Sequence, residues 1–411
     1  MSKVINRNFL KFLIVIIAFQ DVAAGVAGSI MADIIAAYPD YNPTVVMLVA
    51  TFPGLIQIVP ALFYGKLSSI FRKRTLLFTG LILFMIGGIM PFFIDSLPLI
   101  IAFRGLLGLG VGITMPLSVD IISDFFDGRE RDFLIGFGTS TIACIGAIFF
   151  QLGGGILADM YGWQYGFLTY LFPIWILALT FLFLPEPEKR QKLQETNVQK
   201  VKPPKVIFGV SLGQVFFSAL IFGYVTNISV VIASENLGTA TQAGMAISVF
   251  TFGTLLAGFV FGRVKHMIPV SYIPVAVFLT GLGMAICYFS HSLTMIFIGS
   301  MIGGAGMGIG LPGVFARVAE ATPKNSTTSY VGLVVAAQGI GGIMGPFAFG
   351  AIINMFNQDI GRFPLLVSTI GLFALGVVWL IAVKVAKPTD TPDIKIDNLN
   401  NEEEVSPALT K

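Results

Sequence analysis

The stretch GLGVGITMP, residues 108–116, decides the fold because the chain repeats it as GAGMGIGLP at residues 304–312. Three glycines, an isoleucine and a proline return at the same spacing, 196 residues later. Continuing this offset along the chain pairs Gly154 with Gly350. A repeat that extends this far predicts two halves of similar structure.

The composition places both halves in a membrane. Of the 411 residues, 55% are hydrophobic and only 11% are charged, whereas an average soluble domain carries about 25% charged residues. The apolar residues form blocks long enough to cross a bilayer, which takes about 20 residues in a helix. The chain is therefore predicted to be an all-α, multi-pass membrane protein.

Apolar runs between charged or turn-rich breaks predict twelve transmembrane helices in two six-helix halves. The expected spans are residues 9–31, 44–64, 75–95, 98–120, 133–158, 165–184, 206–233, 240–262, 270–289, 293–316, 327–353 and 362–384. The predicted domains are a first half at 1–185, a cytoplasmic linker at 186–205, a second half at 206–387 and a disordered cytoplasmic tail at 388–411.

Basic residues alternate between loops, as this span count requires. Lysine and arginine concentrate in the loops on one side, for example at residues 66–74 and 189–205. The opposite loops hold acids such as Asp40, Asp95 and Asp159. Because basic loops stay in the cytoplasm, both termini are predicted to be cytoplasmic and the protein to lie in the cell membrane.

Glycine-rich runs inside a membrane helix indicate close helix packing. A dinucleotide fingerprint would need a preceding strand in a soluble βαβ unit, whereas small residues in a membrane let helices approach closely. The residues expected to serve packing and bending are Gly108, Gly112, Pro116, Gly304, Gly308, Pro312, Gly345 and Pro346. Internal repeats of membrane helices are typical of secondary transporters.

The sequence lacks the residues that several other classes of function require. The net charge of +3 gives no basic surface for a nucleic acid. Cys144 and Cys287 fall inside apolar blocks and are expected to be small buried side chains, and His266 and His291 fall at opposite membrane surfaces. With no phosphate-binding loop in the sequence, we expect a non-enzymatic protein without cofactor or metal, driven by an ion gradient.

The loop GKLSSIFRKR, residues 65–74, together with twelve spans and a central linker, resembles the major facilitator superfamily. The signature of that family in this loop reads roughly G-x-L-A-D-R-x-G-R-R/K. Gly65 and the final basic pair match it, while Ser69 stands where the family usually has aspartate. The resemblance implies the fold of that family and transport by alternating access.

The same loop supplies the residues of a predicted cytoplasmic gate. They are Gly65, Arg72, Lys73 and Arg74, with Asp120 and Asp124 at the end of span four as available partners. Basic residues that anchor the loop to these acids would hold the gate shut. The alternative is that they are solvated charges that only set the topology.

Direction of transport depends on span five. Exporters of the family commonly carry G-x-x-x-G-P-x-x-G-G there, but this chain has GAIFFQLGGG at residues 146–155, with Phe150 and Gln151 in place of Gly-Pro. A similar element lies instead in span eleven, as GIMGPFAFG at residues 342–350. The resemblance therefore leaves both export and import open.

Asp21 and Arg104 are the two ionisable residues far from a span end. An ionisable side chain costs free energy in a membrane unless it is paired or faces a cavity, so both are candidates for function. At 1.5 Å per residue, both fall in the outer half of a core about 30 Å thick. We expect Asp21 to bind a proton or balance its charge against Arg104 during the transport cycle. The alternative is a static buried pair that positions two helices.

Neutral polar residues inside the spans are candidates to line the substrate cavity: Gln20, Gln57, Gln151, Gln214, Tyr224, Asn227, Gln338 and Asn354. Tyr224 and Asn227 are three residues apart and are expected to share a face of span seven. For each of these residues, hydrogen bonding between helices is the alternative role.

The expected function is proton-coupled movement of a small amphipathic organic molecule across the bilayer by a monomer. Export in exchange for protons is the first choice, on family resemblance. Proton-coupled uptake of an organic anion bound by Arg104 is the second. A lipid flippase or a sensor that transports nothing is the alternative of another class.

Overall fold

The computed structural model describes residues 6–21, 25–186, 205–322, 327–358 and 360–385, and every regular element within these ranges is helical. Except for its first and last residues, the predicted linker lies outside the described residues, as does the predicted tail.

The first half of the chain is built as follows, with the spans numbered in chain order. Span one comprises Arg7–Val15, Ile16–Gln20, Val26–Ser29 and Met31–Ala37; span two Pro43–Val46, Leu48–Ile56 and Ile58–Ile70; span three Lys73–Ile89 and Met90–Phe92; span four Leu97–Phe125; span five Gly128–Gly136, Phe137–Ile142 and Ala143–Tyr161; and span six Trp163–Gly166, Phe167–Leu171 and Pro173–Phe183.

The second half consists of longer, uninterrupted helices. Span seven is Lys205–Ser234, span eight Ala240–Met267, span nine Tyr272–Phe289, span ten Leu293–Ala321, span eleven Thr327–Phe356 and span twelve Phe363–Val385.

Spans two to twelve confirm the sequence prediction, since eleven helical stretches among the described residues are long and apolar enough to cross a membrane. Within the described residues, span one differs from the expected continuous α-helix, because Ile16–Gln20 is a 3-10 helix and Ile30 separates Val26–Ser29 from Met31–Ala37.

Local sequence explains where helices begin and end. The Asn42 side chain accepts a hydrogen bond from the Thr44 amide at 2.9 Å, and Pro43 occupies the first helical position of span two. Span eight begins with a capping box formed by Thr239 and Gln242. Gly162, at φ 111°, ends span five in a conformation that favours glycine.

The sequence repeat is also a repeat of helix contacts. In the first half, a Cβ atom added to Gly87 would lie 2.5 Å from the Phe103 carbonyl oxygen. In the second half, a Cβ on Gly283 would lie 2.5 Å from the carbonyl of Gly299. Both members of the second pair lie 196 residues after those of the first. The same close approach of spans three and four therefore recurs between spans nine and ten.

The glycine and proline positions expected to serve packing behave alike in both halves. Gly108 and Gly112 of span four abut the carbonyls of Pro53 and Gln57 in span two. Their counterparts in span ten, Gly304 and Gly308, abut the carbonyls of Phe250 and Thr254 in span eight, and Gly345 abuts Ala219 in span seven. The prolines Pro116, Pro312 and Pro346 lie inside spans four, ten and eleven.

Buried hydrophobic side chains form two main clusters. One joins residues between Ile14 and Leu184 with Ala240, and the other joins residues between Ile207 and Leu372. Each six-span half thus has its own core. Ala240, at the start of span eight, belongs to the core of the opposite half, which marks where the halves meet most closely.

Candidate functional site

The two halves meet at the end of the molecule that the loop charges predict to be outside. Asp159, the acid near the end of span five, contacts the first turn of span eight in the opposite half. Its Oδ1 accepts a hydrogen bond from the Ala240 amide at 3.1 Å, and its Oδ2 accepts one from the Thr241 amide at 2.9 Å. The Thr239 hydroxyl also donates to Oδ2.

Deeper along the same interface, Gln151 connects three spans. Its backbone carbonyl accepts a hydrogen bond from the Ser29 hydroxyl of span one at 2.9 Å. The Thr251 hydroxyl of span eight lies 3.2 Å from the side-chain Oε1 of Gln151 and shares its proton between this oxygen and the Ile247 carbonyl, at 3.0 Å. A Cβ on Gly244 would lie 2.6 Å from the Gln151 carbonyl, and a Cβ on Gly25 would lie 2.8 Å from its Nε2. Gln151 is thus a polar junction between the halves.

Gln20 and Asp21 lie at the C-terminal end of the 3-10 segment Ile16–Gln20 of span one. Gln20 is fully buried, and neither atom of its side-chain amide has a hydrogen-bond partner among the described residues. Asp21 is half-buried as a residue, but its Oδ1 is shielded from solvent and has no hydrogen-bond partner in the described chain. Buried polar groups normally have partners. These two side chains are therefore available to a proton, water or ligand.

Arg104 is held by groups other than Asp21 Oδ1. The guanidinium is fully buried and donates to the Val49 carbonyl at 2.8 Å and to the Tyr170 hydroxyl at 2.9 Å. It also lies over the Phe167 and Tyr170 rings, with Cζ 5.8 Å and 5.2 Å from their centroids. The expected balancing of charge between Arg104 and Asp21 therefore does not pass through this oxygen in the present conformation.

The neutral candidates separate into two groups. Tyr224 lies inside the second half, where its hydroxyl is 2.6 Å from that of Ser300 and its ring stacks on Phe250. Gln214 also lies there, in a crevice lined by spans seven, nine, ten and twelve. Both side chains thus have neighbours from the second half, as in the alternative role of hydrogen bonding between helices, and lining of the substrate cavity stays a prediction for them.

Asn227 and Asn354 lie at the interface instead. They line a cavity of about 70 Å³ together with Asn42 and Thr44 of the first half. The Asn227 amide donates to the Gly223 carbonyl at 2.9 Å, and its Oδ1 is buried without a partner among the described residues. Tyr224 and Asn227, expected on one face of span seven, thus contact different partners. Gln57 and Gln338 are half-buried.

At the opposite, predicted cytoplasmic end, the structure brings together part of the predicted gate. Lys73 Nζ lies 2.8 Å from Asp120 Oδ2 and 2.5 Å from Asp124 Oδ2. The Tyr64 hydroxyl donates to Asp120 at 2.6 Å. Arg74 takes a different partner, the Phe181 carbonyl of span six, at 2.7 Å. These contacts all lie within the first half.

The remaining gate residues lie beside this cluster. Arg72 precedes the first helical residue of span three. Gly65 is exposed, and nothing lies within 4 Å of the position its Cβ would take. A second ionic cluster at the same end joins Arg7 and Lys11 to Glu130.

An ionic cluster that the sequence analysis missed lies at the predicted outer end of the second half. Arg362 donates to both carboxylate oxygens of Glu235 and to the carbonyls of Cys287, Tyr288 and Ser290. The hydrogen bonds from Arg362 outweigh burial and lower the pKa of Glu235. Arg362 was the lone basic residue of the outer loops in sequence, and this was the signal that could have identified the cluster.

The interface residues Asp159, Ser248 and Thr251 were also missed. Asp159 was counted only as a topology marker, and single hydroxyls in apolar helices carry no distinguishing pattern. Gly244, Ser248 and Thr251 recur at intervals of four and three residues, which places them on one face of span eight. Once Gly244 is seen against Gln151, this face is identified as the one that meets the first half.

Comparison with known proteins agrees with this architecture. The multidrug transporter protein MdtP of Bacillus subtilis is 29% identical over 170 residues, covering 41% of this chain and 31% of that protein. The bacillibactin exporter of the same species is 24% identical over 346 residues, covering 80% of this chain and 86% of the exporter. The chain matches only about a third of the length of MdtP.

A solved structure shares the fold. A bacterial homolog of the human lysosomal transporter Spinster, in an inward-facing and occupied conformation, superposes with a TM-score of 0.71 at 18% identity. The superposition covers 92% of this chain and 95% of that chain. The family model described as Major Facilitator Superfamily matches residues 12–232 and 210–407, nearly the whole sequence. The chain is thus a multi-pass membrane protein and belongs to the Major Facilitator Superfamily.

Proposed function

We propose that this transporter exports a small amphipathic organic molecule in exchange for protons that bind at Asp21. The observation that carries the proposal is the buried Oδ1 of Asp21, which has no hydrogen-bond partner among the described residues. A carboxylate without a compensating donor is costly in a low-dielectric interior, and protonation removes that cost. Asp21 can therefore change its protonation when the cavity opens to one side or the other.

The chemistry around Arg104 favours a neutral or cationic substrate over an organic anion. The guanidinium is enclosed by the Val49 carbonyl, the Tyr170 hydroxyl and two aromatic rings. An anion would have to displace these groups to reach it. Asp21, by contrast, has an acceptor oxygen to offer to a protonated amine or another hydrogen-bond donor. Proton and substrate then compete for one carboxylate, which is the simplest coupling for exchange.

The polar atoms of the interface suit an amphipathic molecule. Gln20 offers an unpartnered donor and an unpartnered acceptor, and the Ser248 hydroxyl also lacks a partner among the described residues. The rest of the spans is mostly apolar. A sugar with many hydroxyls would need more partners than this. The names of the two similar Bacillus proteins, a multidrug transporter and a bacillibactin exporter, support export of an organic compound.

Reconstitution in proteoliposomes tests the proposal. With an acidic lumen, protons that leave through the transporter should drive accumulation of ethidium, a fluorescent organic cation, against its gradient. Fluorescein as the anionic probe and a fluorescent phospholipid analogue provide the other arms. Accumulation of fluorescein with the opposite pH gradient would favour uptake of an anion. Movement of the lipid alone would identify a flippase, and movement of no probe would favour a sensor.

A further inference from the structure

Asp159 caps a helix of the opposite half. The first amide groups of an α-helix have no acceptor within the helix and carry the positive end of its dipole. In span eight, the amides of Ala240 and Thr241 donate to the two carboxylate oxygens of Asp159, at 3.1 Å and 2.9 Å. Asp159 of span five thus caps the first turn of span eight from the opposite half, in addition to the N-cap residue Thr239.

Span eight also has a capping group of its own. The Gln242 side chain accepts a hydrogen bond from the Thr239 amide at 2.8 Å. The single proton of the Thr239 hydroxyl is shared between Asp159 and Gln242, since both lie within hydrogen-bond distance. When Asp159 withdraws, the Thr239–Gln242 capping box remains and can keep the first turn of the helix folded. The contact with Asp159 can therefore break and re-form without unfolding span eight.

Tight packing positions the carboxylate. Gly155, one helical turn before Asp159, abuts the Ala240 carbonyl, and a Cβ on Gly244 would lie 2.6 Å from the Gln151 carbonyl. Spans five and eight thus approach closely over several turns. Asp33 of span one is close enough to Asp159 for the two carboxylates to interact electrostatically. The packing of spans five and eight thus keeps the exposed Asp159 carboxylate close to the span-eight amides, with a second acid nearby.

Among the described residues, the ionic contacts at the opposite end each stay within one half. Lys73 pairs with Asp120 and Asp124 inside the first half, and Lys265 pairs with Glu320 inside the second. The Asp159 contact therefore differs from these pairs, because it must break when the halves separate at the predicted outer end.

We propose that Asp159 is a gating residue, whose cap on span eight holds the outer end of the transporter closed and sets the balance between outer-closed and outer-open states. The inference rests on alternating access by this family and does not depend on the substrate or on proton coupling. Loss of the Asp159 carboxylate should favour the outer-open state, because only the outer-closed state has this cap on span eight. The size of the shift should equal the free energy of one helix N-cap.

Distance measurements between spin labels test this role in the full chain in lipid nanodiscs, without substrate. Cys144 and Cys287 are first replaced by alanine. One label pair, on the exposed residues Phe93 and Phe289, reports the predicted outer ends of the two halves, and a second pair, on Ile70 and Met267, reports the opposite ends. The variants are Asp159→Asn, which keeps one acceptor oxygen, and Asp159→Ala, which keeps none. Asp95→Asn, an exposed acid of the same half, is the matched control.

We expect a larger effect from Asp159→Ala than from Asp159→Asn, and opposite changes in the label distances at the two ends of the molecule. Asp159→Ala should raise the ratio of outer-open to outer-closed molecules about fivefold, the effect of losing a typical N-cap, and Asp159→Asn should raise it less. The outer label distance should lengthen while the inner distance shortens, whereas a merely loosened fold would broaden both. Distance distributions in Asp159→Ala identical to those of Asp95→Asn, at both ends, would overturn the proposal.

Discussion

Gln151 of span five accepts a hydrogen bond from Thr251 of span eight at 3.2 Å, so that the two halves are joined by polar side chains within the membrane. The same position carries proline in the span-five element common among exporters of the family. In this chain the helix therefore keeps its backbone hydrogen bonding there and gains a side chain that reaches the opposite half. The free energy of this contact can be measured directly.

A double-mutant cycle on this pair is the first prediction. Gln151→Leu and Thr251→Val each remove one partner, and the double variant removes both. We expect a coupling free energy of about 0.5–1.5 kcal/mol from thermal unfolding in detergent, the usual net value of one hydrogen bond. Additive effects of the two substitutions would mean that the pair does not interact. Thr254→Val, which contacts only the second half, is the control.

The enclosure of Arg104 predicts that its aromatic partner stabilises the first half. Tyr170→Phe removes one acceptor from a fully buried guanidinium while it retains the ring. We expect a loss of about 1–3 kcal/mol in the free energy of unfolding, because the charge is left less well paired. Tyr165→Phe, at an exposed tyrosine, should change it little. Equal effects of the two substitutions would argue against the arrangement around Arg104.

The structural repeat predicts equal sensitivity at equivalent glycines. A side chain at Gly87 or at Gly283 would meet backbone atoms of the neighbouring span, so that alanine at either position should destabilise the fold by about 1–3 kcal/mol. Gly65 and Gly209 have open space around them, and alanine there should be neutral or stabilise the helix by up to about 1 kcal/mol. Thermal unfolding of the four single variants distinguishes the two classes. Tolerance of alanine at only one of Gly87 and Gly283 would contradict the equivalence.

The cluster around Arg362 predicts a pH-dependent contribution to stability. The hydrogen bonds from Arg362 lower the pKa of Glu235 in the folded protein below that in the unfolded chain. The ionised carboxylate therefore stabilises the fold above the unfolded pKa of about 4.3, and this stabilisation disappears as the pH falls through the folded pKa. Glu235→Gln should lower the melting temperature at pH 7, and the difference from wild type should shrink toward pH 3. Glu186→Gln, at an exposed position, is the control. A difference that stays constant over this range would contradict the shift.

Much of the architecture could be predicted from the sequence, because membrane spans are defined by long apolar runs and loop charges. The sequence repeat that pairs Gly108 with Gly304 likewise indicated a close helix contact that is present in both halves. The 3-10 segment Ile16–Gln20 of span one was not predicted, since its composition is as apolar as that of the α-helical spans. Polarity identified Tyr224 and Gln214 as unusual residues in apolar helices, but it does not tell which neighbour a side chain faces.

Asp159 shows the complementary failure. In sequence it is one of several acids in the predicted outer loops, and nothing distinguishes it from Asp95. Its role depends on the start of span eight, 80 residues later. A helix cap from another part of the chain leaves no local pattern, so it becomes visible only once the two halves are assembled.

The most direct test of the central claim is gradient-driven transport by Asp21→Asn in proteoliposomes, compared with Asp40→Asn, an exposed acid outside the spans. The account predicts that Asp40→Asn accumulates ethidium in acidic vesicles as the wild type does. Because its amide is neutral, Asp21→Asn should bind ethidium more weakly, and any ethidium that it moves should follow only its own gradient and not the pH gradient. If Asp21→Asn concentrates ethidium as steeply as the wild type under the same pH gradient, protons are coupled elsewhere and the account is wrong.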